Sequence, residues 1–224
     1  AGCVGTMSLE GTPVYTYPGQ VIVGHQSDVE LILKDTAALN RRTGVPATED
    51  RFQVGYGVDS DGIVRLRNSA SLATDHAHVA LLGRGLVYLH GTSTWTVGGE
   101  FSIGGYDGCH GGVYVDGDAA TGNATLKQNL VGGTLQKLWV GVAGQGSLYV
   151  QGRGLVMAHD VIVGSQATGN GRVYVQGNDA KMACTSLTVE SGNVYVKDGG
   201  LLEYDQTMQT YWKDMKIGSF DSWA

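Results

Sequence analysis

Leu138-Trp-Val-Gly-Val-Ala-Gly-Gln-Gly-Ser-Leu-Tyr-Val-Gln-Gly152 holds two short apolar segments joined by a glycine-rich corner. The first closes on Val140-Gly141. The second runs from Gly146 to Gly152 as glycine, any residue, Leu, Tyr, Val, any residue, glycine. Both alternate with a period of two, as half-buried β-strands do. The corner between them has the length of a turn rather than of a crossover helix.

The second segment has relatives along the chain. They are Gly85–Gly91, Gly111–Gly117, Gly171–Gly177 and, with one extra residue, Gly192–Gly199. Their tyrosines are Tyr88, Tyr114, Tyr149, Tyr174 and Tyr195, spaced by 26, 35, 25 and 21 residues. The apolar-any-apolar-glycine segment recurs before them as Val21–Gly24, Phe52–Gly55, Ala80–Gly83, Phe101–Gly104 and Val161–Gly164. Leu187-Thr-Val189 follows with Glu190 in the glycine place, and Met215–Gly218 closes the series. A looser third strand follows each tyrosine strand, as in Leu155–Met157, Lys181–Ala183 and Leu201–Glu203.

Three short strands per turn, repeated about seven times, predict an all-β, single-domain parallel β-solenoid, with the right-handed β-helix the expected hand. Each coil bares an apolar edge that only the next coil covers, so the coils must stack. Residues 1–20 are expected to form an N-terminal cap or edge, 21–204 the solenoid, and 205–224 an aromatic cap or an incomplete coil. Met215–Gly218 reads as the first strand of a further coil. Met215, Ile217, Phe220 and Trp223 are therefore candidates for end-to-end assembly. Asp35–Arg42, with helix-like composition, and Asp118–Lys137 read as long loops between coils.

This pattern, Leu-x-Val-Gly, a glycine-rich corner, Gly-x-Leu-x-Val and a further glycine before a short apolar strand, resembles the autotransporter/PEP-CTERM-associated β-solenoid repeats. The resemblance covers residues 138–200 well and 52–137 loosely. It departs at the tyrosine, where the family more often has Thr or Ser. It implies a secreted or surface-anchored bacterial protein with an architectural role, and it brings no catalytic residues.

Strand alternation assigns faces. Val113/Val115, Leu148/Val150, Val173/Val175 and Val194/Val196 are expected to face the core. Tyr88, Tyr114, Tyr149, Tyr174 and Tyr195 then form one exterior row, about 4.8 Å apart per coil. Arg65 and Glu30 are expected to continue it in earlier copies. An exposed aromatic row suits sugar rings or a protein partner, and self-stacking is the competing role.

Composition narrows the classes. Among 224 residues there are 36 glycines and only 3 prolines. Ordinary usage gives roughly 16 glycines. Without a Gly-X-Y period, the excess fits frequent tight corners. The formal net charge is −6, from 15 Lys+Arg and 21 Asp+Glu, with no basic stripe for nucleic acid. No stretch approaches the roughly 20 apolar residues of a membrane helix. Ala1-Gly2-Cys3 is like the end of a bacterial lipobox, yet processing would leave the cysteine first, and a mature or trimmed exported chain is expected. Cys3, Cys109 and Cys184 are too few for a disulfide framework, so one bridge or three idle thiols both stay open.

Chemical motifs are weak. The pairs Asp59/Asp61 and Asp116/Asp118 sit beside glycines, where Asp serves turn hydrogen bonding. As catalytic carboxylates they would need a groove between them, with the carboxyls roughly 5–9.5 Å apart. Asp59-Ser-Asp61-Gly62 lacks the Glu that completes an EF-hand loop, so calcium is left only as a loop ligand. His76 and His78 would face the same way on a strand but have no third metal ligand at a recognisable spacing. His110 beside Cys109 lacks a metal-binding context. Asn123-Ala-Thr125 is a glycosylation sequon. No catalytic, cofactor or metal residues are assigned. The expected function is a non-enzymatic extracellular rod, stalk or filament subunit, partnered by itself or by a surface glycan or protein. A polysaccharide-binding or polysaccharide-degrading β-helix is the alternative.

Overall fold

The computed structural model describes residues 4–41, 51–129, 136–204 and, as backbone strands only, 209–210 and 215–217. These residues wind into stacked coils of parallel strands, with no helix among them. The first coil is β1 (Val4–Leu9), β2 (Val14–Tyr17) and β3 (Val21–Val23). The second is β4 (Asp28–Leu33), β5 (Ala38–Arg41) and β6 (Arg51–Val54). The third is β7 (Asp61–Leu66), β8 (Ser71–Thr74) and β9 (His76–Val79). The fourth is β10 (Arg84–His90), β11 (Thr94–Val97) and β12 (Phe101–Ile103), and the fifth is β13 (His110–Gly117), β14 (Thr125–Gln128) and β15 (Lys137–Val140).

In the sixth and seventh coils the second and third faces merge. There β16 (Gln145–Gly152) leads into the long β17 (Leu155–Val163), and β18 (Asn170–Gln176) into β19 (Lys181–Val189). The first half of β17 pairs with β14 and its second half with β15. The eighth coil is β20 (Gly192–Lys197), β21 (Leu201–Tyr204) and β22 (Gln209–Thr210), and β23 (Met215–Ile217) opens a ninth. The first face is one nine-stranded sheet, β1-β4-β7-β10-β13-β16-β18-β20-β23.

The described residues thus form eight coils and the start of another, close to the expected seven or so. The segment expected as an N-terminal cap or edge supplies β1 and β2, which pair with β4 and β5, and β1 is the edge strand of its sheet. Both expected loops carry strands: Ala38–Arg41 is β5, and Thr125–Gln128 is β14. Helical composition at Asp35–Arg42 yields because each coil needs a second-face strand to cover its neighbours' edges.

The core is the inside of the coil. Val113, Val115, Leu148, Val150, Val173 and Val175 are fully buried there, and Val194 almost so, while Val196 is partly buried against them. Trp95 is the largest buried side chain, packed against Phe52 and Phe101 with its indole N–H donating to Thr74 Oγ1 at 3.2 Å.

After the third-face strand of the first six coils the corner is made by a residue with positive φ, whereas Glu190 takes that place after β19 without it. Gly141 has φ 76°, and a Cβ there would stand 2.5 Å from the backbone nitrogen of Gly171. The backbone N–H groups of Gly55, Ala80, Gly104, Gly141 and Gly164 donate in turn to the coil before, at 2.7–2.8 Å. Ala80 takes the same left-handed conformation, φ 61°. The third-face strand of that coil is therefore His76–Val79, and Ala80–Gly83 forms the corner itself. Alanine in the glycine place hid this copy.

Candidate functional site

The exterior row begins with registration. Tyr88, Tyr114, Tyr149, Tyr174 and Tyr195 are direct partners on consecutive strands of the first face. Their ring centroids are 4.8, 4.7, 4.7 and 4.8 Å apart, with interplanar angles of 11°, 2°, 2° and 10°. The strand spacing sets these distances, which lie in the range of offset-stacked rings. Each inner ring thus shows both faces to other tyrosines, leaving edges and hydroxyls toward solvent. Burial, reinforced by the neighbouring phenols, pushes the Tyr114 and Tyr174 hydroxyls above their ordinary pKa.

One end of the stack is closed by a cation. The Arg65 guanidinium lies 4.6 Å from the Tyr88 ring centroid, and its Nε donates to Glu30 Oε1 at 2.6 Å. Arg65 is in the row, but Glu30 is not, because Ile32 is the residue opposite Arg65. Glu30 sits two residues earlier on the same outward face and reaches across. At the other end, the partner of Tyr195 is Lys216.

That last pairing places Met215 and Ile217 on the opening strand of a further coil, as expected, but in the tyrosine-strand sheet opposite Val194 and Val196 rather than on the third face, where the other apolar-any-apolar-glycine segments lie (the corner strands). The corner-strand position of the eighth coil is taken by Gln209–Thr210. Phe220 and Trp223 lie outside the described residues, as does Cys3.

The acidic corners are occupied by turn conformation and by side-chain pairs. Asp59 adopts φ 59°, the left-handed turn conformation. The backbone N–H of Asp61 donates to Asp28 Oδ1 at 3.2 Å, and Asp61 Oδ2 accepts from Arg84 at 3.4 Å. Asp118 Oδ1 accepts from the Ala120 N–H at 2.8 Å, and Asp116 lies 3.7 Å from His90 Nδ1. Among the described residues, no three His, Cys, Asp or Glu side chains gather as metal ligands would. Cys109 and Cys184 are both buried, and burial pushes the Cys109 thiol up, away from reactivity.

The third face carries a second outward row, of which the sequence reading named only the histidine. It runs Gln53, His78, Ser102, Trp139 and Ile162 on successive coils. His78 Nδ1 and Ser102 Oγ are hydrogen-bonded at 2.7 Å. Burial, with Arg51 and His76 adding their charge, lowers the His78 pKa to about 4, so the ring is neutral at ordinary pH. His76 turns elsewhere, its Nδ1 accepting from the Glu100 N–H at 3.1 Å. A concavity of about 330 Å³ opens over this row and the adjoining corner.

Comparison with protein-family models, with curated proteins and with solved structures found no match to this chain.

Proposed function

We propose that this chain is a non-catalytic structural and adhesive module, a rigid β-solenoid rod or stalk acting outside the cell or on its surface and joining further copies of itself end to end. The observation that carries this reading is the first coil. On its outer side β1 has no strand partner among the described residues. Val4, Met7, Val14 and Tyr15 of that coil are 81%, 54%, 66% and 48% exposed. A row of unpaired N–H and C=O groups beside apolar side chains is a template for another strand.

Every internal coil in this molecule is covered by a neighbour at the same register, so a coil of a second copy offers matching geometry. The ninth coil begun by β23 gives the opposite end a strand in the same sheet. The engaged acidic corners favour a structural role over a hydrolytic one, and the resemblance to secreted repeat proteins favours an extracellular setting.

Sedimentation velocity with negative-stain imaging, from micromolar to near-millimolar protein, tests the reading. End-to-end oligomers are expected, shortened by Met7→Glu with Val14→Lys. Particles one molecule long at every concentration overturn it.

A further inference from the structure

We infer that the concavity over His78, Ser102 and Trp139 is a binding site for a single neutral sugar ring. This does not rest on the rod reading, since the site lies within one molecule on a face away from the tyrosine stack.

The concavity follows from side-chain size along a row. Ser102 is a small residue held between His78 and Trp139, which are two strand spacings apart, roughly 9.6 Å. Gly105 lies at the adjoining corner, where a Cβ would meet Leu81 Cδ1 at 2.9 Å. Tyr106 projects beside it, 56% exposed. The resulting volume of about 330 Å³ is at the lower end of small-ligand sites, about 300–1,000 Å³.

The lining selects the ligand. An indole and a phenol supply apolar planes for the C–H face of a pyranose. His78, Ser102, the Tyr106 hydroxyl and Gln166 supply neutral donors and acceptors for its hydroxyls. A wholly apolar ligand would cover the Tyr106 hydroxyl and the Gln166 amide without pairing them, while His78 and Ser102 already share one hydrogen bond. An ion would meet no opposite charge in the lining, because it contains no Asp, Glu, Lys or Arg. Lys137, with Nζ 5.8 Å from the Trp139 ring centroid, stands outside it.

Saturation-transfer NMR with the methyl glycosides of glucose, galactose and mannose tests the site, with acetyl-phenylalanine amide as the apolar peptide-like probe. At least one glycoside is expected to bind at about 1 mM, the range for a ligand of this size. Trp139→Ala is expected to weaken it at least tenfold. Ser102→Leu, which fills the floor without touching the core, is expected to abolish it and keeps the test intact should Trp139→Ala fail to fold. No transfer to any glycoside overturns the inference, as does transfer unchanged in Ser102→Leu. Binding of the peptide probe alone overturns it too.

Discussion

Tyr114 and Tyr149 lie with ring centroids 4.7 Å apart and planes 2° from parallel, although 35 residues separate them in the chain. The pair costs the backbone nothing, because parallel in-register strands already bring equivalent side chains to that spacing. What the sequence adds is an aromatic residue at the same position on five consecutive coils. The stack therefore acts as a stitch between coils, and its inner ring faces are closed to any planar ligand.

Removing an inner ring should loosen two coil junctions together. Tyr149→Ala loses stacking with Tyr114 and Tyr174, about 1–3 kcal/mol at about 0.5–1.5 kcal/mol per pair, before lost apolar burial is added. Tyr149→Phe keeps both contacts and should fall within about 0.5 kcal/mol of the parent. Urea unfolding midpoints check both. Equal midpoints for the Ala and Phe variants would sink the stitching role.

The stack should also set an alkaline limit. The native pKa values of Tyr114 and Tyr174 are raised by burial and then by neighbouring phenols, so the folded state holds their protons more tightly than the unfolded chain. Their contribution is full below the unfolded value of about 10 and is lost as pH rises through the higher native values. Tyr114→Phe with Tyr174→Phe should flatten the fall in stability above pH about 10. Denaturant melts across that range measure it, and an unchanged slope counts against the assignment.

The alternation in Gly-x-Val-Tyr-Val was enough to place Val113 and Val115 inside and Tyr114 outside, since period two leaves no other choice once one face is buried. Pairing register is a different matter, because a strand alone does not say how far it slides along its neighbour. Counting within its own segment puts Glu30 in the row, whereas the register puts Ile32 opposite Arg65. Met215-Lys-Ile217 fits the corner-strand pattern equally well, and its sheet is decided by where the preceding chain turns. The concavity was illegible for a related reason. It depends on Ser102 lying between His78 and Trp139, residues 24 and 37 positions away.

His78 supplies an acid limit with the opposite dependence. Its pKa falls to about 4 in the folded protein, chiefly through burial, against an ordinary value of 6.5. Stability linked to the neutral ring is complete above pH about 6.5 and is lost as pH falls toward the native value. The full shift corresponds to roughly 3–4 kcal/mol. His78→Gln should remove this dependence between pH about 4 and 6.5. An NMR titration of the imidazole gives the pKa directly, and a midpoint near 6.5 would refute the burial argument.

Two corner substitutions separate backbone strain from ordinary packing. Gly141→Ala places a methyl 2.5 Å from the Gly171 nitrogen and 2.6 Å from the Asn170 carbonyl carbon, at φ 76°. Those are backbone atoms of β18, which opens the seventh coil, so relief requires the coils to part. A left-handed conformation alone costs a non-glycine residue about 1–2 kcal/mol, and the clash adds to it. Ala80→Gly runs the other way at φ 61°. It relieves about 1–2 kcal/mol of strain, loses about 0.8 kcal/mol of methyl burial and gains about 0.5–1 kcal/mol of unfolded-chain entropy to overcome. Its net effect should be within about 1 kcal/mol of zero, while Gly141→Ala should cost more than about 2 kcal/mol. Thermal and urea unfolding of the two variants decide it. A Gly141→Ala protein as stable as its parent would mean that the corner is shaped by something other than a conformation only glycine enters freely.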